Sequence, residues 1–170
     1  MTMRPRALVL TALLTSLALA FNIAEGLLPL PLPGVKLGAA NVFALVALVL
    51  MGPRSAFSVT LLRVLLAWLV SANWFAFLCS LAGGLLATAV MVFVYVNYKS
   101  EFSLPWVSVA GAWAFNAGQV AVVALMVRDA RMLFYAVPLL LIGTATGWVV
   151  GKLAEMLCQR VKKIERMDYR

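Results

Sequence analysis

Residues 74–97 read WFAFLCSLAGGLLATAVMVFVYVN, a long run without a single charged side chain. An α-helix needs about 20 predominantly apolar residues to cross the hydrocarbon core of a bilayer. The rest of the chain has the same character, being 65% hydrophobic and 12% charged, whereas about a quarter of the residues in a soluble domain are charged. The sequence therefore predicts an integral membrane protein with no room for a soluble catalytic domain.

Six apolar stretches follow one another along the chain. They predict an all-α membrane protein, a compact bundle of six transmembrane helices that forms a single domain over residues 1–170. The second stretch is short because a proline-rich loop precedes it and Met51-Gly52-Pro53 ends it. The predicted helices cover residues 7–28, 37–51, 54–72, 74–97, 104–127 and 132–157, followed by a basic tail at 158–170.

The distribution of basic residues predicts the orientation. Lys and Arg collect on cytoplasmic flanks, and here they are densest between Lys152 and Arg170. We therefore expect a multi-pass protein of the cytoplasmic membrane with both termini in the cytoplasm. The net charge of +8 then reflects topology and does not indicate a nucleic-acid partner. A cleaved signal peptide ending at Ala18-Leu19-Ala20 is disfavoured because the apolar run continues to Leu28.

Five polar side chains interrupt the apolar stretches and predict a site. Hydrocarbon cannot solvate an amide or a carboxylate, so each needs a partner, a water or a ligand. Counting along the helices brings all five to the outer half of the bilayer. Two interpretations are open: a hydrogen-bonded network between helices, or a ligand pocket accessible from outside. The five residues are Asn22, Glu25, Asn41, Asn116 and Gln119.

Two basic residues belong to the same candidate site. Lys36 is expected at its rim, and Arg63 lies near the middle of the third helix, where a guanidinium costs at least about 2.5 kcal/mol. Arg63 either extends towards one membrane surface, contacts the ligand or clamps helix ends. Pairing with Glu25 is a further alternative, with the two residues about two helical turns apart in estimated depth. The loop Leu28–Gly34, LPLPLPG, cannot be helical. It is either a stiff surface turn or a lid over the pocket.

Small residues recur every fourth position on the first helix, on roughly the opposite side from the polar face. Such a stripe lets another helix approach closely. It predicts either packing within the bundle or docking to a separate subunit. The stripe consists of Ala12, Ser16, Ala20 and Ala24, and the last helix carries a comparable seam at Gly143, Gly147 and Gly151.

The composition excludes several kinds of chemistry. Histidine is absent, which removes the commonest general base and metal ligand. Cys79 and Cys158 lie in separate stretches and are interpreted as packing residues. Asp129 and Asp168 are the only aspartates, so the clustered carboxylates that hold magnesium and diphosphate are missing. We expect no catalytic residue, no metal site and no cofactor, and hence not an enzyme.

Five motifs together are distinctive: residues 25–41 (EGLLPLPLPGVKLGAAN), 61–66 (LLRVLL), 80–84 (SLAGG), 108–112 (SVAGA) and 116–119 (NAGQ). In these motifs the chain resembles the Gx transporter family, also labelled heptaprenyl diphosphate synthase component I. That family is similar to the substrate-binding S-components of energy-coupling factor (ECF) transporters. S-components are six-helix proteins that bind vitamins or similar small molecules near the outer face.

The resemblance implies ligand contacts at the matching positions and a docking role for the stripe on the first helix. An S-component docks an energy-coupling membrane subunit, which two ATPases drive. One departure is Phe115, where the family is expected to have His. The positions that match the family are Glu25, Lys36, Asn41, Arg63, Asn116 and Gln119, to which the residue pattern adds Asn22.

Together these expectations describe a substrate-binding membrane transport protein that captures a small molecule on the extracytoplasmic side. Its expected partners are the ligand, membrane lipid and a coupling subunit with its ATPases. The alternative is an accessory membrane subunit in prenyl, quinone or flavin-linked electron-transfer metabolism, which would use the same polar layer as a headgroup site.

Overall fold

The computed structural model describes residues 5–26 and 36–168, and the side chains of 7–26 and 36–163. Within these ranges most of the chain is helical and none of it is a strand, which confirms the predicted all-α membrane bundle. The proline-rich loop Leu28–Gly34 lies outside the described residues. The helices are α1 (Pro5–Gly26), α2 (Asn41–Met51), α3 (Pro53–Ser71), α4 (Trp74–Asn97), α5 (Leu104–Val127) and α6 (Ala136–Asp168), with a 3-10 helix at Ala130–Tyr135 before α6.

Five of the described helices, all except α2, are long and apolar enough to cross a membrane. The protein is therefore a multi-pass membrane protein. Helix α2 has 11 residues, a length of about 16 Å at the usual rise per residue, so on its own it covers about half of the hydrocarbon core. At the other extreme, α6 continues to Asp168, so much of the predicted basic tail is helical.

Helix α2 starts later than predicted because of Gly38. This residue has φ +85°, a left-handed conformation that interrupts a helix and that glycine adopts without steric penalty. The chain turns there, and the amide N–H of Asn41 donates to the carbonyl of Gly38 at 3.0 Å. Residues 37–40 therefore form a turn before the first residue of α2.

The short α2 lies at the centre of the bundle. Every side chain from Asn41 to Leu48 is buried, and α2 contacts α1, α3, α4 and α6. A helix that is apolar on all sides is typical of such a central position. Although it is too short to span the membrane, α2 fills the space between these four longer helices.

Glycines allow α5 to pack closely between α4 and α6. A methyl group added at Gly147 of α6 would lie 2.9 Å from the Cα of Val109 on α5, closer than real side chains approach a backbone. On the other side, a methyl group at Gly83 of α4 would lie 2.8 Å from the carbonyl oxygen of Phe115. The predicted glycine seam of α6 is thus a helix-packing surface, as expected where lipid removes the hydrophobic drive for helices to associate.

The C-terminal ends of α1, α3 and α5 lie at the same end of the bundle as the N-terminal ends of α2, α4 and α6. We call this the site end. The turn from α3 to α4 lies there, and the Asn73 side chain caps α4 by accepting a hydrogen bond from the Ala76 amide at 3.0 Å. Glycine and proline fix the turn at the opposite end, where Gly52 (φ +94°) precedes Pro53 of α3.

The small-residue stripe on α1 faces outward. Ala12, Ser16, Ala20 and Ala24 are all exposed, whereas α1 packs against α2 and α3 through buried residues such as Leu14 and Ala18. Of the two interpretations left open for the stripe, packing among the described helices is therefore not observed.

Gly147→Val is expected to destabilise the bundle by about 1–3 kcal/mol or more, because the new side chain has no space against α5. Ala145→Val is the matched control, since Ala145 lies on the exposed side of the same helix and should change stability by less than about 0.5 kcal/mol. The free energy of unfolding in mixed micelles measures both. Equal effects of the two substitutions would contradict the close α5–α6 packing.

Candidate functional site

The candidate site is built around residues 36–40, the non-helical segment that leads into α2. We call it the 36–40 segment. Peptide groups that are not in a helix need other hydrogen-bond partners when they are buried away from water. Side chains from α1 and α5 provide these partners.

Gln119 of α5 holds the backbone of Lys36. Its side-chain carbonyl accepts a hydrogen bond from the Lys36 amide N–H at 2.8 Å, and its side-chain NH₂ donates to the Lys36 carbonyl at 3.0 Å. One carboxamide thus satisfies both backbone groups of a single residue. Gln119 itself is fully buried, so this pairing ties the 36–40 segment to the interior of the bundle.

Glu25 of α1 holds the same segment from the other side. Its carboxylate accepts a hydrogen bond from the Ala39 amide N–H at 2.7 Å. Charge-assisted bonds of this kind are short and about twice as strong as neutral ones. The positive φ of Gly38 shapes the turn that presents the Ala39 amide, so the glycine and the carboxylate act together.

The Lys36 side chain extends to α1. Its Nζ donates to the backbone carbonyl of Asn22 at 3.2 Å and also to the Asn22 side-chain oxygen. Burial lowers the pKa of the Lys36 ammonium below its usual value, and the negative charge of Glu25 acts in the opposite direction. The ammonium is therefore held by neutral oxygens, and it interacts with Glu25 through space.

Arg63 of α3 is buried in the interior, with 1% of its surface exposed. Its Nη2 donates to the Asn41 side-chain oxygen at 3.2 Å, and the same nitrogen lies against Gly84 of α4, where a methyl group would come within 3.1 Å. Arg63 therefore does not extend towards the membrane surface. It also interacts electrostatically with Glu25, although these two described side chains do not form a direct ion pair.

Asn116 contacts α6 and not the 36–40 segment. Its NH₂ group donates to the Leu139 carbonyl of α6 at 2.7 Å, and a methyl group at Gly143 would collide with that same NH₂ group. The preceding residue, Phe115, is buried, and its ring lies against Gly38. Phe115, the position where the family is expected to have His, therefore packs against the 36–40 segment at Gly38.

Several buried polar atoms at this end have no hydrogen-bond partner. They include the Nε of Arg63, the indole Nε1 of Trp68 and the side-chain oxygen of Asn116. Native proteins leave few buried polar groups unpaired, which distinguishes these atoms from the paired groups around them.

A narrow cleft between α3 and α4 adjoins the 36–40 segment. It has a volume of about 10 Å³, the space of about one water molecule. Its lining includes Lys36, Trp68, Ser71, Phe77 and Ser80. Nothing in the sequence pointed to Ser71 or Phe77 as lining residues, because their position in the cleft depends on how α3 meets α4.

The structure thus joins six of the seven predicted ligand-binding residues around one segment. Asn22, Glu25 and Gln119 hold the segment, Lys36 belongs to it, and Asn41 and Arg63 follow beneath it. Asn116 lies on the neighbouring face of α5 and contacts α6.

One family model matches most of the chain. The model of the family described as heptaprenyl diphosphate synthase component I matches residues 14–157, which include every residue of the site. The chain belongs to the heptaprenyl diphosphate synthase component I family. Searches of curated proteins and of solved structures found no match. Membership of the heptaprenyl diphosphate synthase component I family confirms the resemblance drawn from the five motifs.

A double-mutant cycle tests the contact between Asn41 and Arg63. Asn41→Ala leaves a buried guanidinium nitrogen unpaired, and Arg63→Met removes the charge that Asn41 binds, so the double variant should lose less stability than the sum of the two. The expected coupling is about 1.5–3 kcal/mol, the range for a hydrogen bond to a charged group.

The control for this cycle pairs Arg63→Met with Asn97→Ala. Asn97 is exposed and bonds only to the Phe93 carbonyl of its own helix, so these two effects should add. Additive effects in the Asn41–Arg63 cycle as well would contradict the contact.

Proposed function

We propose that this protein is the substrate-binding membrane component of an uptake system. It captures a small molecule at the site end, which faces outward in the cytoplasmic membrane, and both of its termini are cytoplasmic. The observation that carries the proposal is the convergence of side chains from four helices and the 36–40 segment on one layer. Polar groups at membrane depth are costly and are commonly found in substrate pathways.

A purely structural network is the competing explanation for this layer. Such a network is stabilising only when all its members are satisfied. Here the Nε of Arg63 and the oxygen of Asn116 are left without partners, although neighbouring groups are paired with good geometry. A ligand that accepts a hydrogen bond from the Arg63 Nε would complete the hydrogen bonding beneath the 36–40 segment.

The exposed small-residue stripe of α1 favours contact with a helix of a partner protein. Exposed Ala and Ser residues cover little apolar surface, and they permit a second helix to approach the α1 backbone closely. We assign this face to an energy-coupling membrane subunit that ATPases drive, as in the S-components that the motifs resemble. The remaining exposed apolar side chains contact lipid.

The protein acts by binding and carries out no catalysis of its own. Its only carboxylate at the site, Glu25, is engaged by a backbone amide, and general acid–base work needs a group free to exchange protons with a substrate. The family name describes one component of a synthase, which fits a protein that works together with other subunits. The competing function is that of an accessory membrane subunit in prenyl, quinone or electron-transfer metabolism.

Uptake of a labelled ligand tests the proposal, with the ligand first identified by native mass spectrometry of the purified protein. Glu25→Ala and Asn116→Ala should each reduce uptake at least about tenfold, since each removes a polar group worth about 1.5 kcal/mol or more. Asn97→Ala, at the opposite end of the bundle, should leave uptake unchanged. Uptake that is indifferent to both site variants would overturn the proposal.

The stripe has a separate test. Ala20→Trp should abolish co-purification of the coupling subunit and uptake while ligand binding persists, because the indole blocks close helix approach. Leu69→Trp is the control, since Leu69 is exposed on α3. Co-purification of a prenyl-transfer or redox enzyme in place of ATPases would support the accessory role and contradict uptake.

A further inference from the structure

The charges at the site do not balance. Glu25 supplies one negative charge, while Lys36 and Arg63 supply two positive charges, and all three interact electrostatically. Glu25 and Arg63 are almost fully buried, at 6% and 1% exposure, and Lys36 is partly buried. An uncompensated charge in such surroundings is costly. One further negative charge would neutralise the group.

The unpaired atoms next to these charges are donors. Arg63 Nε–H and Trp68 Nε1–H lack partners, and neither group can accept a hydrogen bond. The Lys36 ammonium carries three protons and contacts two oxygens, both of Asn22. A molecule that satisfies these groups has to bring acceptors and needs no donors of its own.

The cleft brings Lys36 and Trp68 together. Both residues line it, with Ser71 and Ser80 as further hydroxyl groups and Phe77 as an apolar wall. Arg63 lies one helical turn from Ala67, another lining residue, on the same face of α3. The cleft has space for about one water molecule, so a flat carboxylate would need less widening of the cleft than a tetrahedral phosphate.

Two aromatic rings that line the cleft, those of Trp68 and Phe77, belong to a cluster with Trp74. The Trp68 ring lies 4.7 Å from that of Trp74 and 5.4 Å from that of Phe77, measured between centroids. Trp74 is exposed, so this cluster offers an apolar surface where α3 meets α4. A ligand with its charged group in the cleft would place its body against these rings.

We propose that the ligand carries a carboxylate, which enters the α3–α4 cleft and binds Lys36 and the indole N–H of Trp68, with an aromatic or apolar body against the Trp68–Trp74–Phe77 cluster. This inference rests on the proposed function and names the substrate class of the same site. Charge-assisted bonds in a narrow cleft discriminate strongly against a neutral analogue, which leaves the buried donors and charge unsatisfied.

Three small probes that share a phenyl ring test the proposal on the purified full-length protein in lipid nanodiscs: phenylacetate, phenylacetamide and phenyl phosphate. Binding is measured by ligand-observed NMR. Phenylacetate should bind at least about tenfold more tightly than the neutral amide, the factor that corresponds to one charge-assisted hydrogen bond. Equal binding of acid and amide, or binding of phenyl phosphate alone, would overturn the proposal.

Two variants assign the contacts. Lys36→Met and Trp68→Phe should each weaken phenylacetate binding about tenfold or more; Trp68→Phe retains a ring, so it separates the lost N–H from lost packing. Lys99→Met and Trp106→Phe are the controls, because both residues are exposed near the opposite end. Size-exclusion profiles verify that each variant is folded. Unchanged binding in a folded Trp68→Phe would contradict the role of the indole.

The outcomes separate this inference from the proposed function. A retained native ligand without a carboxylate, whose uptake depends on Glu25, would overturn the inference and leave the uptake proposal standing. The absence of any ligand, with uptake indifferent to the site variants, would overturn both.

Discussion

The pairing of Gln119 with the backbone of Lys36 is the interaction on which the rest of the site depends. A non-helical segment within a membrane bundle has peptide groups that no lipid can satisfy. One buried carboxamide satisfies two of them, and Glu25 satisfies a third at Ala39. Because the two side chains come from α5 and α1, the segment connects helices that are distant in the chain.

This arrangement explains why α2 is short. The chain leaves its turn at Gly38 and starts α2 deep enough for Asn41 to meet Arg63 of α3. Had the helix begun at residue 37, the Ala39 amide would lie within the first helical turn and the segment would lack its bend. A short central helix is therefore the structural consequence of placing a polar turn at the site end. The charged groups then lie around this turn and not at the membrane surface.

Much of this could be predicted from sequence. Long charge-free stretches indicate membrane helices, and counting residues along them brought Asn22, Glu25 and Gln119 to one layer. The hydrogen-bond partners of these side chains could not be predicted. Gln119 and Glu25 bind backbone groups, and every residue has such groups whatever its side chain. Asn116 lies on α5 three residues before Gln119 yet faces α6, because Gly143 leaves room for its amide. The α3–α4 cleft was missed because it arises from the packing of α3 against α4, which the sequence pattern does not specify.

The most direct test of the account is hydrogen exchange at the Lys36 amide, followed by NMR in protein labelled with ¹⁵N-lysine. The amide should be protected in the wild type, and Gln119→Leu should accelerate its exchange about tenfold or more, since the substitution removes its acceptor. Gln159→Leu, on the exposed side of α6, should leave it unchanged. Rapid exchange in the wild type, or protection that survives Gln119→Leu, would contradict the claim that α5 holds the 36–40 segment through this side chain.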